Sequence, residues 1–484
     1  MQIMKWLIAK WLIATLLCFT CTSPVTALSE FTQSKSSTHV ISEIPAGGIV
    51  ISSPGTYLFK KNIKWHPSGN GQAILITAND VTLDLQDHTL KSATTQFNTT
   101  GVLATAVSNL VIKNGTIKNM AYKGVECDGC TNLLIKNITV DGLNLENTAV
   151  YTVPVGILAS SSSNVVIEKC KVKNIDVKTG SLAAIQLTAT ISSKVSDCHV
   201  KNLNNKDGAC TGIGHLACDQ AVVDSCTVDK LKAEFIDNLN TEGHTAIGLV
   251  PVTSTNLLIQ NCKVSNITGC CDDAHGMSIF ECLNAQVKNC KVENVLDGAG
   301  KAQTGAKATG IEIYATGVQV IDCKVKNITA INPQDQQASG FSVAQCAGVT
   351  FSGCHAEDVN VVDEHGKHNP LLGYGTGFGW APDPRPEFLL PAVGIFYKEC
   401  TAKRCQVGFD SWFHIASVWE DIHSICNEIP VLNRGTYKRT FSCNPCSECG
   451  CMQVGCFPAP NIVTVYNVAS NNTFWNVETQ QCGD

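Results

Sequence analysis

The sequence predicts an all-β fold in which short strands wind into a stacked coil, or solenoid. The first observation is a twelve-residue unit, such as NVVIEKCKVKNI at Asn164 or NLLIQNCKVSNI at Asn256. Its degenerate copies start at residues 109, 132, 164, 192, 220, 256, 284, 317, 348 and 394. Repetition of this kind is the signature of a stacked-repeat architecture. The second observation is that apolar residues fall at places 2, 4, 7, 9 and 12 of most copies. These places form two period-2 runs with a phase break, which predicts two short strands and a bend.

A third apolar run precedes many copies and completes a turn of three strands. It reads GVEC at Gly124, GILA at Gly156, GMSIF at Gly276, GIEIY at Gly310 and GFSV at Gly340. The intervals between copies range from 23 to 46 residues. The strands of a coil cannot change length by that much, so we expect the excess to lie in loops. The longest insertion, residues 359–391, is rich in Gly, Pro, His and aromatic residues and is of a length that is usually functional or disordered.

The pattern predicts four segments along the chain. Residues 1–27 form a leader, and residues 28–100 form an N-terminal cap and the first coils. Residues 101–407 contain the repeats, and residues 408–484 form an aromatic and cysteine-rich extension. The start of that extension, Gly408 to His423, is expected to supply a last strand and a capping helix, because the open end of a coil is a sheet edge that needs cover.

The first 27 residues have the features of a secretory signal peptide. Lys5 and Lys10 precede an apolar run from Trp11 to Phe19, and Val25-Thr26-Ala27 provides a small-residue cleavage site near Ala27. We therefore expect a secreted, periplasmic or cell-surface protein. The remaining chain lacks an apolar run of about 18 residues, which excludes a membrane-spanning protein. The net charge of −6 and the lack of a basic stripe with interleaved aromatics exclude nucleic acid as a partner.

Many of the 26 cysteines follow the repeat. One column occupies the seventh place of the unit, and a second column lies two residues before the unit starts. Parallel neighbours in stacked strands are about 4.8 Å apart, whereas the Cβ atoms of a disulfide converge to about 3.8 Å. The spacing favours buried thiol ladders, with bridged pairs as the alternative. The first column is Cys170, Cys198, Cys226, Cys262, Cys290, Cys323, Cys354 and Cys400; the second is Cys130, Cys218, Cys282 and Cys346.

The cysteines near the C-terminus do not follow the repeat. Their close spacing is compatible with zinc binding, but in an exported protein such residues more often form disulfides. We therefore predict disulfides there, with no bound metal and no cofactor. The candidates are Cys426, Cys443, Cys446, Cys449, Cys451, Cys456 and Cys482.

The repeated unit, together with SPGTYLF at Ser53 and VTLDLQDHTL at Val81, resembles right-handed parallel β-helix proteins of the pectin lyase-like superfamily, over about residues 40–405. The resemblance implies a right-handed parallel β-helix, the hand that parallel crossovers generally take. It implies no particular activity, because this fold carries lyases, hydrolases, epimerases and adhesins.

The stretch CCDDAHGMSI from Cys270 loosely resembles polygalacturonase signatures. An inverting glycosidase needs two carboxyl groups about 6.5–9.5 Å apart. The resemblance implies Asp272 and Asp273 as that pair, with His275 and, one coil earlier, His244 as orienting groups. The family's further Asn-x-Asp and Arg-x-Lys motifs are missing from the flanking coils, and a solvated Asp-Asp turn explains the same residues.

Aromatic residues offer a binding site as an alternative to catalysis. Tyr374, Phe378 and Trp380 lie in a glycine-rich part of the longest insertion, and aromatic faces bury the C–H surfaces of sugars. A hydrophobic cap over the last coil explains the same composition, most simply for Trp412 and Trp419.

Three functions remain open. The first is an exported protein that binds a polysaccharide or another cell-surface ligand. The second is a polygalacturonase-like polysaccharide hydrolase, and the third is a structural or adhesive coil without catalysis.

Overall fold

The computed structural model describes most of the chain from residue 37 to residue 432. The described ranges are 37–143, 153–178, 180–206, 208–234, 245–269, 273–298, 307–331, 337–363, 365–367, 375–379, 392–410, 414–415, 417–427, 429–432 and 473–475. Every regular element in these ranges is a β-strand, and neighbouring strands pair in parallel. No helix in the described ranges is long and apolar enough to cross a membrane.

The described residues form two compact units: the N-terminal unit, which ends at Thr268, and the C-terminal unit, which begins at Gly269. Each unit is a parallel β-helix with three sheets, numbered in the order in which a coil visits them. All-β architecture and the parallel β-helix fold are therefore confirmed.

In the N-terminal unit, each strand pairs with its counterpart in the next coil. Sheet 1 contains Ile49–Ile51, Gly71–Ile76, Thr99–Thr105, Lys123–Asp128, Val155–Ser160, Leu182–Thr188, Cys210–Leu216 and Ala246–Val252. Sheet 2 contains Thr38–Ile41, Gly55–Phe59, Val81–Asp84, Ser163–Glu168, Ile191–Ser196, Asp219–Asp224 and Thr255–Gln260. Sheet 3 contains Ile63–Trp65, Thr89–Ser92, Lys171–Val177, His199–Asn205, Thr227–Ala233 and Lys263–Thr268. Two long strands, Ser108–Met120 and Thr131–Leu143, bend from sheet 2 into sheet 3.

The C-terminal unit repeats this plan. Sheet 1 contains the first half of Asp273–Lys288, then Lys307–Thr316, Gln337–Val343, Gly375–Gly379, Val407–Asp410 and Ile429–Leu432. Sheet 2 contains the second half of Asp273–Lys288, then Gln319–Ile321, Thr350–Ser352, Phe396–Lys398, Val418–Glu420 and Thr473–Trp475. Sheet 3 contains Lys291–Asp297, Lys324–Ile331, His355–Val362, Thr401–Lys403 and His423–Ile425. Ala392–Val393 and His414–Ile415 form a separate two-stranded pair.

The stacking continues beyond residue 407, where the sequence pattern stops. Val407–Asp410 pairs with Ile429–Leu432, and Thr401–Lys403 pairs with His423–Ile425. The capping helix expected between residues 408 and 423 is not seen in the described part of that segment, which consists of strands. The reason is that Phe409 and Trp419 fill inward strand positions in register with Phe378 and Tyr397 of the preceding coil.

The corners explain why the repeated unit begins with asparagine. Asn109, Asn132 and Asn164 have φ values of 56°, 57° and 51°, in the left-handed region that asparagine tolerates better than most residues. Each side chain also bonds to the next coil. The amide Nδ2 of Asn132 donates to Oδ1 of Asn109, and Nδ2 of Asn164 donates to Oδ1 of Asn132, both at 2.9 Å. The first place of the unit is therefore a corner that an amide ladder stabilises.

The predicted inward column of cysteines is confirmed, because all eight members are buried. Within the N-terminal unit, the Cys170 thiol faces the carbonyl oxygens of Glu168 at 3.4 Å and Ile135 at 3.6 Å. Cys170, Cys198 and Cys226 are thiols and not disulfides. Hydrogen bonds to Cys170 and Cys226, together with burial, raise the pKa of Cys198, so its thiol stays protonated.

Aromatic stacks fill other inward columns, on sheets 1 and 2, towards the end of the C-terminal unit. Phe378 stacks between Phe341 and Phe409, with ring centroids 4.7 and 5.1 Å away. Tyr397 stacks on Trp419 at 3.9 Å. Phe378 has no exposed surface, so the prediction that it contacts a ligand is wrong. It lies in the core because its strand continues the inward register of Phe341. Trp419 is buried in the same way, as a core residue of the last coils.

Candidate functional site

Several residues singled out from the sequence lie outside the described ranges. These are Asp272 and His244 among the catalytic candidates, Tyr374 and Trp380 among the ligand-binding candidates, and all C-terminal cysteine candidates except Cys426. Cys426 is half-buried at a corner with a φ of 51°. The roles predicted for all of these residues remain predictions.

Asp273 and His275, by contrast, lie together on the outer face of sheet 1 in the C-terminal unit. His275 Nε2 is 3.6 Å from Asp273 Oδ2. His275 is buried, with 4% of its surface exposed, whereas 38% of the Asp273 side chain is exposed. The structure therefore brings together two of the four catalytic candidates, one buried and one in contact with solvent.

The strand that carries them is shaped by Gly276. A Cβ atom at this position would lie 2.2 Å from Cγ1 of Val292 and 2.6 Å from the carbonyl oxygen of Gly310. Gly310 and Gly340 occupy the same register position in the next two coils and face the same obstruction. This glycine column lets sheet 1 lie close to sheet 3 and fixes the direction of the side chains on either side of it.

The neighbouring strand adds Glu312, which the sequence did not point out. His275 Nδ1 is 3.5 Å from Glu312 Oε2, so the imidazole lies between two carboxylates. Ser278 Oγ donates a hydrogen bond to Glu312 Oε2 at 3.0 Å, and Lys307 Nζ forms an ion pair with Glu312 Oε1. The parallel register explains this cluster, because Asp273 is opposite Lys307 and Ser278 is opposite Glu312.

Electrostatics hold this cluster in charged form. Burial raises the pKa of Glu312. The charges of Lys307 and His275 and the hydrogen bonds from Lys307 and Ser278 lower it by a larger amount, to about 2. Burial lowers the pKa of His275, and the carboxylates of Glu312 and Asp273 more than offset this, so the pKa is raised above its ordinary value. Glu312 is therefore an ionised, ion-paired group at neutral pH. Perturbed titrating groups of this kind mark functional-site candidates.

Three buried polar atoms surround the cluster without a hydrogen-bond partner among the described residues. They are His275 Nδ1, Thr309 Oγ1 and Ser342 Oγ. Thr309 is opposite His275, and Ser342 is opposite Glu312 on the next strand. Buried polar atoms in native proteins are nearly always satisfied by protein, water or ligand.

An aromatic pair lies at the end of the same face. The rings of Phe280 and Tyr314 stack at 5.2 Å with an interplanar angle of 21°, and both side chains are half-buried. Each lies two residues after a member of the cluster, Ser278 or Glu312, and therefore points to the same side of the sheet. Alignment of GMSIF with GIEIY places Phe280 beside Tyr314 and Ser278 beside Glu312, so the signal was present in the sequence.

The geometry gives the cluster limited catalytic capacity. A glycosidase pair needs a carboxyl group that can hold a proton near working pH, and Glu312, with a pKa of about 2, holds none. Within the described residues, no three His, Cys, Asp or Glu side chains are arranged to hold a metal ion. The arrangement suits hydrogen bonding and ring stacking better than proton transfer.

Comparison with known proteins agrees with the architecture. A family model described as a right-handed β-helix region matches residues 72–248. The fold is a right-handed parallel β-helix. No curated protein matches the sequence of this β-helix.

Solved structures with a similar course include the Dettilon tailspike protein, at 11% identity and a TM-score of 0.38, over 82% of this chain and 61% of that one. A catalytic domain of a GH87 α-1,3-glucanase in complex with nigerose has 13% identity and a TM-score of 0.28, over 70% and 63%. An exopolygalacturonase from Thermotoga maritima has 10% identity and a TM-score of 0.27, over 67% and 90%. The β-helix spans less than two thirds of the tailspike and glucanase chains. At these identities and scores, the similarity carries no argument about activity.

Proposed function

We propose that the β-helix binds a polysaccharide or a cell-surface glycan on the outer face of sheet 1 in the C-terminal unit. The observation that carries this proposal is the half-exposed Phe280–Tyr314 stack beside the Asp273–His275–Glu312–Lys307 cluster. We call these six residues the sheet-1 strip.

The chemistry of the strip matches the two kinds of surface on a sugar. Aromatic rings bury apolar surface, and the faces of a pyranose carry C–H groups that pack on them. Sites for small ligands combine such apolar surface with a few fixed polar groups. Asp273, with 38% of its side chain exposed, supplies carboxylate oxygens that accept hydrogen bonds from the sugar hydroxyls.

Binding is favoured over hydrolysis by the state of Glu312. Its carboxylate is neutralised by Lys307 and buried, so Asp273 has no second proton-carrying carboxyl group among the described residues of the strip.

Export also belongs to this proposal. The leader-like residues 1–27 lie outside the described ranges, and a glycan ligand outside the cytoplasm agrees with their sequence.

The test is a binding screen of the purified protein against a panel of neutral and acidic polysaccharides. Tyr314→Ala and Phe280→Ala are each expected to weaken binding to the best ligand about tenfold, a loss of about 1.4 kcal/mol. Tyr57→Ala is the matched control, because Tyr57 stacks on His39 in the N-terminal unit at 4.7 Å. Equal losses in the strip variants and the control, or no binding to any glycan, would reject the proposal.

A reducing-sugar assay on the same panel separates binding from hydrolysis. We expect no release of reducing ends by the wild type. Release that is abolished by Asp273→Asn without loss of folding would replace the binding proposal by the hydrolase alternative.

A further inference from the structure

The charged groups of the sheet-1 strip neutralise one another. Lys307 is paired with Glu312, and the imidazole of His275 lies between Glu312 and Asp273 at 3.5 and 3.6 Å. With His275 protonated, the described groups of this patch carry two positive and two negative charges. Other outward positions of the two following strands carry uncharged residues, among them Thr309, Gln337, Ser339 and Ser342.

This charge pairing determines the electrostatic environment of a sugar bound at the strip. An acidic sugar needs a cation that is not already neutralised. Arginine or lysine provides this cation in most sites that bind a carboxylate. Here the Lys307 ammonium is directed at Glu312, and 14% of its side chain is exposed. A bound uronate carboxylate would lie near Asp273 and Glu312 and be repelled by both. Like-charge contacts of this kind are a common source of specificity.

We propose that the strip selects neutral saccharides and rejects uronate-containing ones, and that Glu312 is the residue that determines this specificity. The inference rests on the glycan-binding function proposed above. In this role Glu312 acts on the ligand's charge and stays unprotonated, in contrast to the acid or base of a hydrolase.

The N-terminal unit provides a matched control for the role of Glu312. Glu126 lies on the outer face of sheet 1 of that unit, two residues after Gly124, as Glu312 lies two residues after Gly310. It also forms an ion pair with a buried lysine, Lys123, at 2.5 Å. Removal of its charge therefore reproduces the electrostatic change at an equivalent position without touching the strip.

The experiment measures affinities for neutral glucan and mannan hexasaccharides and for hexagalacturonate. The wild type is expected to bind at least one neutral ligand and to bind hexagalacturonate at least about tenfold more weakly. Glu312→Gln leaves Lys307 and His275 without their shared carboxylate and is expected to raise affinity for hexagalacturonate at least about tenfold. Glu126→Gln is expected to leave the selectivity unchanged.

A further variant covers the case in which Glu312→Gln fails to fold. Lys307→Gln combined with Glu312→Gln removes both members of the ion pair, and loss of the Glu312 charge should weaken the wild-type preference for neutral ligands. An unchanged preference in this double variant would show that Glu312 does not determine it. Equal wild-type affinity for hexagalacturonate and the best neutral ligand would overturn the specificity inference and leave the binding function intact. If the wild type binds no member of either set, the proposed function fails, and this inference fails with it.

Discussion

Among the single residues, His215 faces the core of the N-terminal unit, between Leu187 and Pro251 of the adjacent coils. It is buried, and its Nε2 has no hydrogen-bond partner among the described residues. Burial lowers the pKa of His215 to about 4. Since this pKa lies below its ordinary value of 6.5, the unfolded chain takes up the proton first as the pH falls.

The free energy of unfolding of wild-type protein is therefore expected to fall between pH 6.5 and about 4, with a His215 contribution of about 3 kcal/mol. His215→Leu should remove that part of the pH dependence. Leucine is the natural replacement, because Leu187 occupies the same inward position in the preceding coil. Denaturant unfolding at pH 7.5 and 4.5 measures it, with exposed His39→Gln as the control. An unchanged pH dependence in His215→Leu would show that the imidazole is not buried in neutral form.

His275 affects the pH dependence of stability in the opposite direction from His215. Its folded pKa is raised above 6.5, so its contribution to stability is complete below pH 6.5 and is lost as the pH rises through the folded value. We expect the His275 imidazole, followed by NMR, to titrate at higher pH than that of a model peptide. Asp273→Asn should lower this pKa, because it removes one of the two neighbouring carboxylates. A His275 pKa at or below 6.5 would contradict the charged cluster.

At the scale of the strand, the glycine column determines how closely the sheets pack. Gly276→Ala would place a Cβ atom 2.2 Å from Val292 Cγ1, and overpacking of this kind costs about 1–3 kcal/mol. Gly47→Ala is the control, since no atom lies within 4 Å of a Cβ atom there. Thermal unfolding should show a clear loss of stability for Gly276→Ala alone. Equal effects of the two substitutions would mean that the column is not a packing requirement.

The cysteine ladder makes a second prediction at this scale. Buried thiols that donate to carbonyl groups should resist alkylation in the folded protein. We expect iodoacetamide to leave Cys170, Cys198 and Cys226 unmodified until denaturant is added, as mapped by mass spectrometry. Their alkylation after denaturation without a reductant would confirm thiols. Disulfide-linked peptides from these positions would instead support the bridged alternative.

At the scale of the whole molecule, the repeat predicted the three-strand coil because the copies place apolar side chains inward at the same places, and five of the ten begin with an asparagine at a corner. The end of the stack was not predictable in this way. After Cys405 the inward positions carry the large aromatic residues Phe409 and Trp419, and the twelve-residue unit is not repeated. The coil geometry persists there although the sequence pattern has changed.

The site was predictable only in part, for a related reason. Asp273 and His275 are neighbours in sequence, so a local motif revealed them. Glu312 and Lys307 reach them only through the register between coils, across a gap in sequence of more than 30 residues. Phe378, taken as a ligand contact from its glycine-rich setting, is in the core because register and not composition determines which face a strand residue occupies.

The central claim is that a glycan binds across the sheet-1 strip of the C-terminal unit. A crystal structure of the protein soaked with its best neutral oligosaccharide tests it most directly. We expect a sugar ring within about 4 Å of the Phe280 and Tyr314 rings, with its hydroxyl groups bonded to Asp273. A sugar bound elsewhere on the β-helix, with the strip unchanged, would contradict the claim.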